Sequence, residues 1–328
     1  MNGFNHYHLS ILHYQLNMRL ITGFLKLVRL PNLIFIALTQ VLFQYCIFRP
    51  LYNGGVLVDD DRHFIFLMLA SVLIAAAGYV INDYFDINID EVNKPERMVV
   101  DKVISRRWAI AWHFMLSFSG LVLTFFALGS FRDKWYLLLA NVFCVNLLWF
   151  YSTNFKKSLL TGNIVISLLT AWTILIIFFS KVTWHDALGG SFTNQHKFFR
   201  LALVYAGFAF IISLIREAIK DMEDMAGDTR YGCRTMPIVW GVNAAKVYTA
   251  VWIVILIASL AAIQVYSLQF RWWWPVLFSI ILIIVPLVYI LFSLRKATVQ
   301  ADFHRLSSQT KLVMLTGILS MAFFYFYL

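Results

Sequence analysis

The uncharged apolar runs of this chain are too long and too numerous to be folded away from water in a soluble core. Phe64–Val80 and Val276–Phe292 each extend for seventeen residues without one Asp, Glu, His, Lys or Arg. Of the 328 residues 61% are hydrophobic and only 13% charged, whereas soluble domains carry about a quarter charged residues. The bilayer must serve as solvent for such a chain. In lipid every backbone polar group needs an internal partner, which leaves helices or a closed barrel. Barrel strands alternate apolar and polar residues over about ten positions. These runs do not alternate, so the expected class is all-α and polytopic.

Nine spans are expected: Leu33–Phe48, Phe64–Ile81, Trp108–Leu128, Trp135–Tyr151, Ile164–Ser180, Phe199–Ile215, Ala244–Tyr266, Trp273–Leu294 and Leu312–Leu328. Pro286 falls inside the eighth and predicts a kink there. Trp108, Trp135 and Trp272 to Trp274 stand at span ends, where interfacial aromatics collect. Residues 1–18 show no basic-apolar-small leader pattern and are expected to be a disordered extension, or to precede a start at Met18.

Nineteen of the 27 Lys and Arg residues, Lys311 among them, fall on one side of this nine-span topology. That side is expected to be cytoplasmic, with the N-terminus inside and the C-terminus outside a cell (inner) membrane. The net charge of +10 then suits anionic membrane lipids rather than nucleic acid. Cys46, Cys144 and Cys233 are far apart and in no CxxC pattern, so neither a disulfide framework nor a zinc site is expected.

Two acidic clusters interrupt the apolar pattern. Asn82, Asp83, Asp86 and Asp90 close the second span, and Lys220, Asp221, Asp224 and Asp228 close the sixth. Both place Asp at i, i+3 and i+7, which on a continuous helix falls on one face. Both lie on the basic-rich side, four spans apart, as in an internal repeat of helix pairs. Clustered carboxylates at a membrane boundary repel one another unless they share a cation. Mg²⁺ takes hard oxygen ligands and bridges carboxylates to phosphate oxygens. Two facing clusters predict Mg²⁺ ions around a diphosphate, stabilising its departure from an allylic prenyl diphosphate. Arg97, Lys156 and Lys220 are candidate phosphate contacts, and Asn32, at the mouth of the first span, is a candidate substrate contact.

The stretch NDYFDINIDEVNKPER, the middle segment with Tyr151, Ser152, Lys156, Gly162 and Asn163, and the stretch REAIKDMEDMAGDTRYGCRTMP resemble the UbiA superfamily of intramembrane prenyltransferases. The resemblance covers most of the chain from Arg29 onward. The third stretch, with its Arg216-Glu217 pair, is most similar to the branch that makes digeranylgeranylglyceryl phosphate. The resemblance implies one domain over 19–328, with nine helices around a central cavity. It implies Mg²⁺ held by Asp83, Asp86, Asp90, Asp221, Asp224 and Asp228, with Asn82, Tyr151 and Asn163 among the substrate contacts. It also implies geranylgeranyl transfer from its diphosphate to the hydroxyl of geranylgeranylglyceryl phosphate, a lipid-soluble acceptor. Where the family often has proline and then glycine after the arginine of the first motif, this chain has Met98-Val99-Val100-Asp101, a loop expected to shape the acceptor site. The alternatives are an aromatic acceptor, as in quinone or tocopherol-type pathways, and a cation-coupled transporter. Transporter sites lie nearer the bilayer midplane on broken helices.

Overall fold

The computed structural model describes residues 18, 20–52, 59–96, 98–182 and 192–328, and the side chains of all of these except 192 and 193. Among them the chain is helical throughout, with one isolated bridge, Val100 to Ile104, in place of a sheet. The elements are α1 (Leu30–Leu51), α2 (Asp60–Phe85), α3 (Ile87–Asn93), α4 (Arg106–Ala127), α5 (Phe131–Thr153), α6 (Thr161–Lys181), α7 (Phe192–Glu223), α8 (Met225–Arg230), α9 (Met236–Val239), α10 (Val242–Leu268), α11 (Trp273–Lys296) and α12 (Gln300–Tyr327). Nine of these described helices are long and apolar enough to cross a bilayer, and α3, α8 and α9 are short connectors. The protein is a multi-pass membrane protein. The expected extension at 1–18 lies outside the described residues except for Met18.

Two of the spans contain a π-helical segment, each just before a proline. Phe43–Phe48 precedes Pro50, and Ile280–Ile284 precedes Pro286. A proline removes one N–H and crowds the carbonyl four residues back. For Pro286 that carbonyl belongs to Leu282, and it accepts a bond from the Thr316 hydroxyl of α12 at 2.9 Å. The expected kink is therefore satisfied from a neighbouring helix, as lipid-embedded backbone requires.

The last span begins at Gln300, twelve residues before the expected Leu312. Its first turns carry Asp302, His304 and Arg305, which hide the span from a hydropathy reading. Phe303, Leu306, Ser307 and Thr310 nevertheless form a buried helical face. The Asp302 carboxylate accepts the backbone N–H groups of Thr298 and Val299 and so caps the helix. Lys311, expected in a basic loop, consequently lies inside a spanning helix.

Packing is extensive between α2 and α4, while α7 lies against α6, α10 and α12. Phe114, Phe118, Val265, Phe292 and Leu312 project outward from the bundle, as lipid-facing side chains do. At the end of the bundle opposite the acidic motifs, Lys181 of α6 pairs with Asp60 of α2 at 2.5 Å. Gln44 of α1 donates to the same carboxylate at 2.7 Å. Arg49 pairs with Asp61 at 2.5 Å, and Tyr45 donates to that carboxylate at 3.1 Å. This network ties three helices together. The Lys181 and Asp60 side chains are 6% and 13% exposed, so removing one partner strands a buried charge, at a cost of about 3–5 kcal/mol. Lys181→Met should therefore lower the unfolding temperature in detergent markedly, measured by intrinsic fluorescence. Lys181→Met with Asp60→Asn should recover much of the loss.

Candidate active site

Both acidic motifs bend at their second aspartate. α2 ends at Phe85, and Asp86 takes φ −93°, ψ 0° before α3 begins. α7 ends at Glu223, and Asp224 takes φ −95°, ψ 5° before α8 begins. The backbone still donates four residues back, from Asp86 to Asn82 and from Asp224 to Lys220. The expected single helical face is thus replaced by a corner. Asp83 and Asp221 lie on the spanning helix, Asp90 and Asp228 on a short following helix, and the second Asp at the turn. A corner lets three carboxylates border one concave space, which a straight ridge does not.

The two corners meet. The Asn93 side chain donates to the Asp224 carbonyl at 2.9 Å and accepts the Gly227 N–H at 2.7 Å. Any Cβ at position 227 would lie 2.6 Å from the Asn93 amide, so α8 approaches α3 this closely because residue 227 is glycine. Lys94 adds an ion pair to Asp224 at 2.7 Å and one to Glu223 at 3.5 Å. Glu223 in turn accepts from His304 of α12 at 2.9 Å.

The joined corners border a cavity of about 890 Å³ that runs into the bundle. On α7 its wall extends from Asp221 back to Tyr205, roughly 24 Å along the helix axis. The deeper wall is mostly apolar, with Ile74, Leu148, Ile166, Trp172, Phe208 and Met321. All six candidate aspartates border this cavity. So do Asn32, Asn82, Tyr151, Lys156, Asn163 and Lys220. Arg97 lies outside the described residues. The Met98-Val99-Val100-Asp101 loop does not line the cavity, contrary to expectation. Val99 and Val100 are buried instead against Leu27, Val28 and Ala109. Their branched apolar side chains anchor the loop in the bundle wall.

Several of the charges here have a local partner. Arg29 bonds Asp83 at 2.7 Å, Lys156 bonds Asp86, Asn82 donates to Asp86 at 2.6 Å, and Asn163 donates to Asp221 at 2.8 Å. Arg29 has the left-handed backbone conformation, φ 53° and ψ 55°. That strain costs about 1–2 kcal/mol and is held by the Asp83 pair and by stacking over the Tyr79 ring at 5.1 Å. Burial disfavours the Lys156 ammonium, but Asp86, Tyr151 and Asp90 together outweigh it and raise the pKa. Lys220 bonds Glu217 at 3.2 Å rather than a motif aspartate.

Asp90 and Asp228 are less well compensated. Burial, reinforced by Asp86 for Asp90, pushes the Asp90 carboxyl up to about 6. Burial, opposed by Lys156 and reinforced by Asp224 and Asp86, also pushes Asp228 up to about 6. Among the described residues, no three acidic, His or Cys side chains converge tightly enough to enclose an ion unaided. The donor set fits Mg²⁺ nonetheless, because that ion keeps water and phosphate oxygens and needs only one or two carboxylates. The raised carboxyls are the negative charge such an ion would offset.

Arg29, Asn93, Lys94, Arg216, Glu217 and Lys311 also border the cavity and were not among the sequence candidates. Asn93 and Lys94 lie within the first motif stretch, and Arg216 and Glu217 open the third. For Lys311 the available signal was the apolar periodicity that continues back from Thr310 to Phe303.

The sequence model of the UbiA prenyltransferase family matches residues 51–327. A digeranylgeranylglyceryl phosphate synthase of Hyperthermus butylicus is 33% identical over 70% of this chain and 72% of its own. Another, of Methanoregula boonei, is 29% identical over 77% of this chain and 78% of its own. Among solved structures, one from work on the biosynthesis of digeranylgeranylglyceryl phosphate synthase in membranes covers 92% of this chain and 99% of its own, with a TM-score of 0.58 at 22% identity. A UbiA homolog from Archaeoglobus fulgidus, bound to DMAPP and Mg²⁺, covers the same shares with a TM-score of 0.55 at 14% identity. At those identities the two structures establish the shared fold.

The folded pKa of Asp90 and Asp228 exceeds the ordinary carboxylate value, so in the metal-free protein these groups favour the fold at low pH. That contribution is lost as pH rises through 6. Asp90→Asn and Asp228→Asn should each raise the unfolding temperature of chelator-treated protein at pH 7.5, and the gain should shrink at pH 5.

Proposed function

The chain belongs to the UbiA prenyltransferase family, and we propose that it joins a geranylgeranyl group from its diphosphate to the free hydroxyl of geranylgeranylglyceryl phosphate. The observation that carries this reading is the clamp of Asn93 on Asp224 and Gly227, which brings both acidic corners to one end of a long apolar cavity. The reading is supported by relatives named digeranylgeranylglyceryl phosphate synthase and by the DMAPP and Mg²⁺ of the Archaeoglobus homolog.

Asp83, Asp86, Asp90, Asp221, Asp224 and Asp228 would hold Mg²⁺, which when bound neutralises diphosphate oxygens as the leaving group departs. Lys156 and Lys220, together with Arg97, would reach the diphosphate. Lys156 already stands at Asp86 and Lys220 beside Arg216, so both are poised to turn toward an anion entering the corner. Asn163 fixes the Asp221 carboxylate and Asn82 that of Asp86, which keeps their free oxygens directed. Breaking the allylic C–O bond leaves the electron pair on diphosphate and an allylic cation on the prenyl chain. The apolar wall keeps water from that cation. The glycerol hydroxyl forms the new C–O bond and releases its proton, giving an ether lipid and diphosphate. The basic-rich face, with both corners, would lie on the cytoplasmic side of the cell membrane.

Purified protein given geranylgeranyl diphosphate should form the ether with geranylgeranylglyceryl phosphate, and mass spectrometry should find no product from aromatic acids or phenols. Prenylated aromatic product alone would overturn the assignment. Chelation should stop turnover and Mg²⁺ restore it. Asp83→Ala and Asp224→Ala should each lower kcat by about 10²–10³-fold while leaving a monodisperse protein. Near-normal rates in either would remove that aspartate from the proposed metal site.

A further inference from the structure

Lys311 lies six residues past the exposed Arg305 on α12, about 9 Å further along the helix. Leu312, Val313 and Met314 follow it. A charge at that depth in a spanning helix is costly unless it is paired or serves a substrate. Among the described residues Lys311 forms no ion pair or hydrogen bond, and its ammonium lies over the Phe35 ring of α1 at 5.5 Å. The charges that act on it are all positive: Arg216, Arg29 and Lys220.

Those cations have few carboxylates between them. Arg29 is taken by Asp83. Arg216 and Lys220 share Glu217, at 3.0 and 3.2 Å. The Nε of Arg216 is buried and has no acceptor. Four cations thus gather beside the same cavity as the acidic corners, and among them Lys311 has no carboxylate partner and Arg216 keeps its Nε without an acceptor. Arg216 precedes Asp221 by five residues, so the excess positive charge lies about 8 Å further into the membrane than the nearer corner aspartate. A phosphate there would give both the Lys311 ammonium and the Arg216 Nε an acceptor.

We propose that Lys311 and Arg216 bind the phosphate monoester of the acceptor lipid and so select a phosphorylated glycerol over an uncharged or aromatic acceptor. This rests on the prenyl-transfer reading above and adds the acceptor's address. The acceptor carries its phosphate on the carbon next to the reacting hydroxyl. Holding that phosphate just inward of the corner places the hydroxyl beside the prenyl carbon that loses diphosphate. The diphosphate and the monophosphate then occupy separate positions, one reached through metal, the aspartates, Lys156 and Lys220, the other through Lys311 and Arg216.

The test compares geranylgeranylglyceryl phosphate with its dephosphorylated alcohol, at saturating geranylgeranyl diphosphate and Mg²⁺. The wild type should strongly prefer the phosphate. Lys311→Met should raise the KM for the phosphorylated acceptor about 10–100-fold, the range expected for losing a charge-assisted contact. It should leave the KM for geranylgeranyl diphosphate and the rate with the alcohol nearly unchanged, and Lys311→Arg should restore the preference. A merely structural lysine would alter both acceptors alike. Unchanged acceptor preference in Lys311→Met, or an equal rise in the donor KM, overturns the proposal while leaving the function standing. A wild type that turns over neither glycerol acceptor overturns the function and this site with it.

Discussion

Carboxylates carried to the end of a membrane helix must be neutralised, and the folded chain is arranged around that requirement. Within the cavity's acidic corners Asp83 is met by Arg29, Asp86 by Lys156 and Asn82, Asp221 by Asn163, and Asp224 by Lys94. These partners come from the residue before α1, the residue after α3, from α2 and α6, and from the turn between α5 and α6. The charge pattern at the cavity mouth therefore fixes how the helices gather there, while the aliphatic clusters fill the spaces between them. Two carboxyls, Asp90 and Asp228, are left with burial outweighing their local partners. Their unfavourable charge is a stability cost that the bound state can offset, a common trade at functional sites.

The cavity has two chemically different zones. At its mouth, acids and bases interleave on bent helices. Deeper in, apolar side chains continue for several turns of α7. A substrate with a charged head and a long hydrocarbon tail matches that sequence of environments, and a small polar metabolite does not. The opposite end of the bundle is tied by another kind of interaction, the Lys181–Asp60 pair with Gln44 across α1, α2 and α6. It belongs to the scaffold.

The class of fold was legible because continuous apolar runs leave few alternatives in lipid, and the candidate site because two acidic motifs at one spacing interrupt them. What was not legible has a common physical cause. The corners at Asp86 and Asp224 keep their i to i−4 backbone bonds, so no proline or glycine marks them and local spacing reads as straight helix. The early start of α12 is hidden because the polar Asp302, His304 and Arg305 are interleaved with the buried Phe303 and Leu306. Averaged hydropathy cannot separate two faces of one helix, and Lys311 was assigned to a loop for that reason. The departure of Met98–Asp101 from the family pattern does not mark a change in the site. The loop's valines serve packing instead.

Two stretches of sequence, 130 residues apart between Lys94 and Asp224, make one shared anion and cation site. The most direct measurement is calorimetric binding of magnesium pyrophosphate to purified protein, to Asp83→Asn, to Asp224→Asn and to the double variant. A shared site predicts that each single change removes most of the binding and that the double change adds little to either. If each single variant keeps half of the sites at full affinity, or if the two losses simply add, the corners act independently and the account is contradicted.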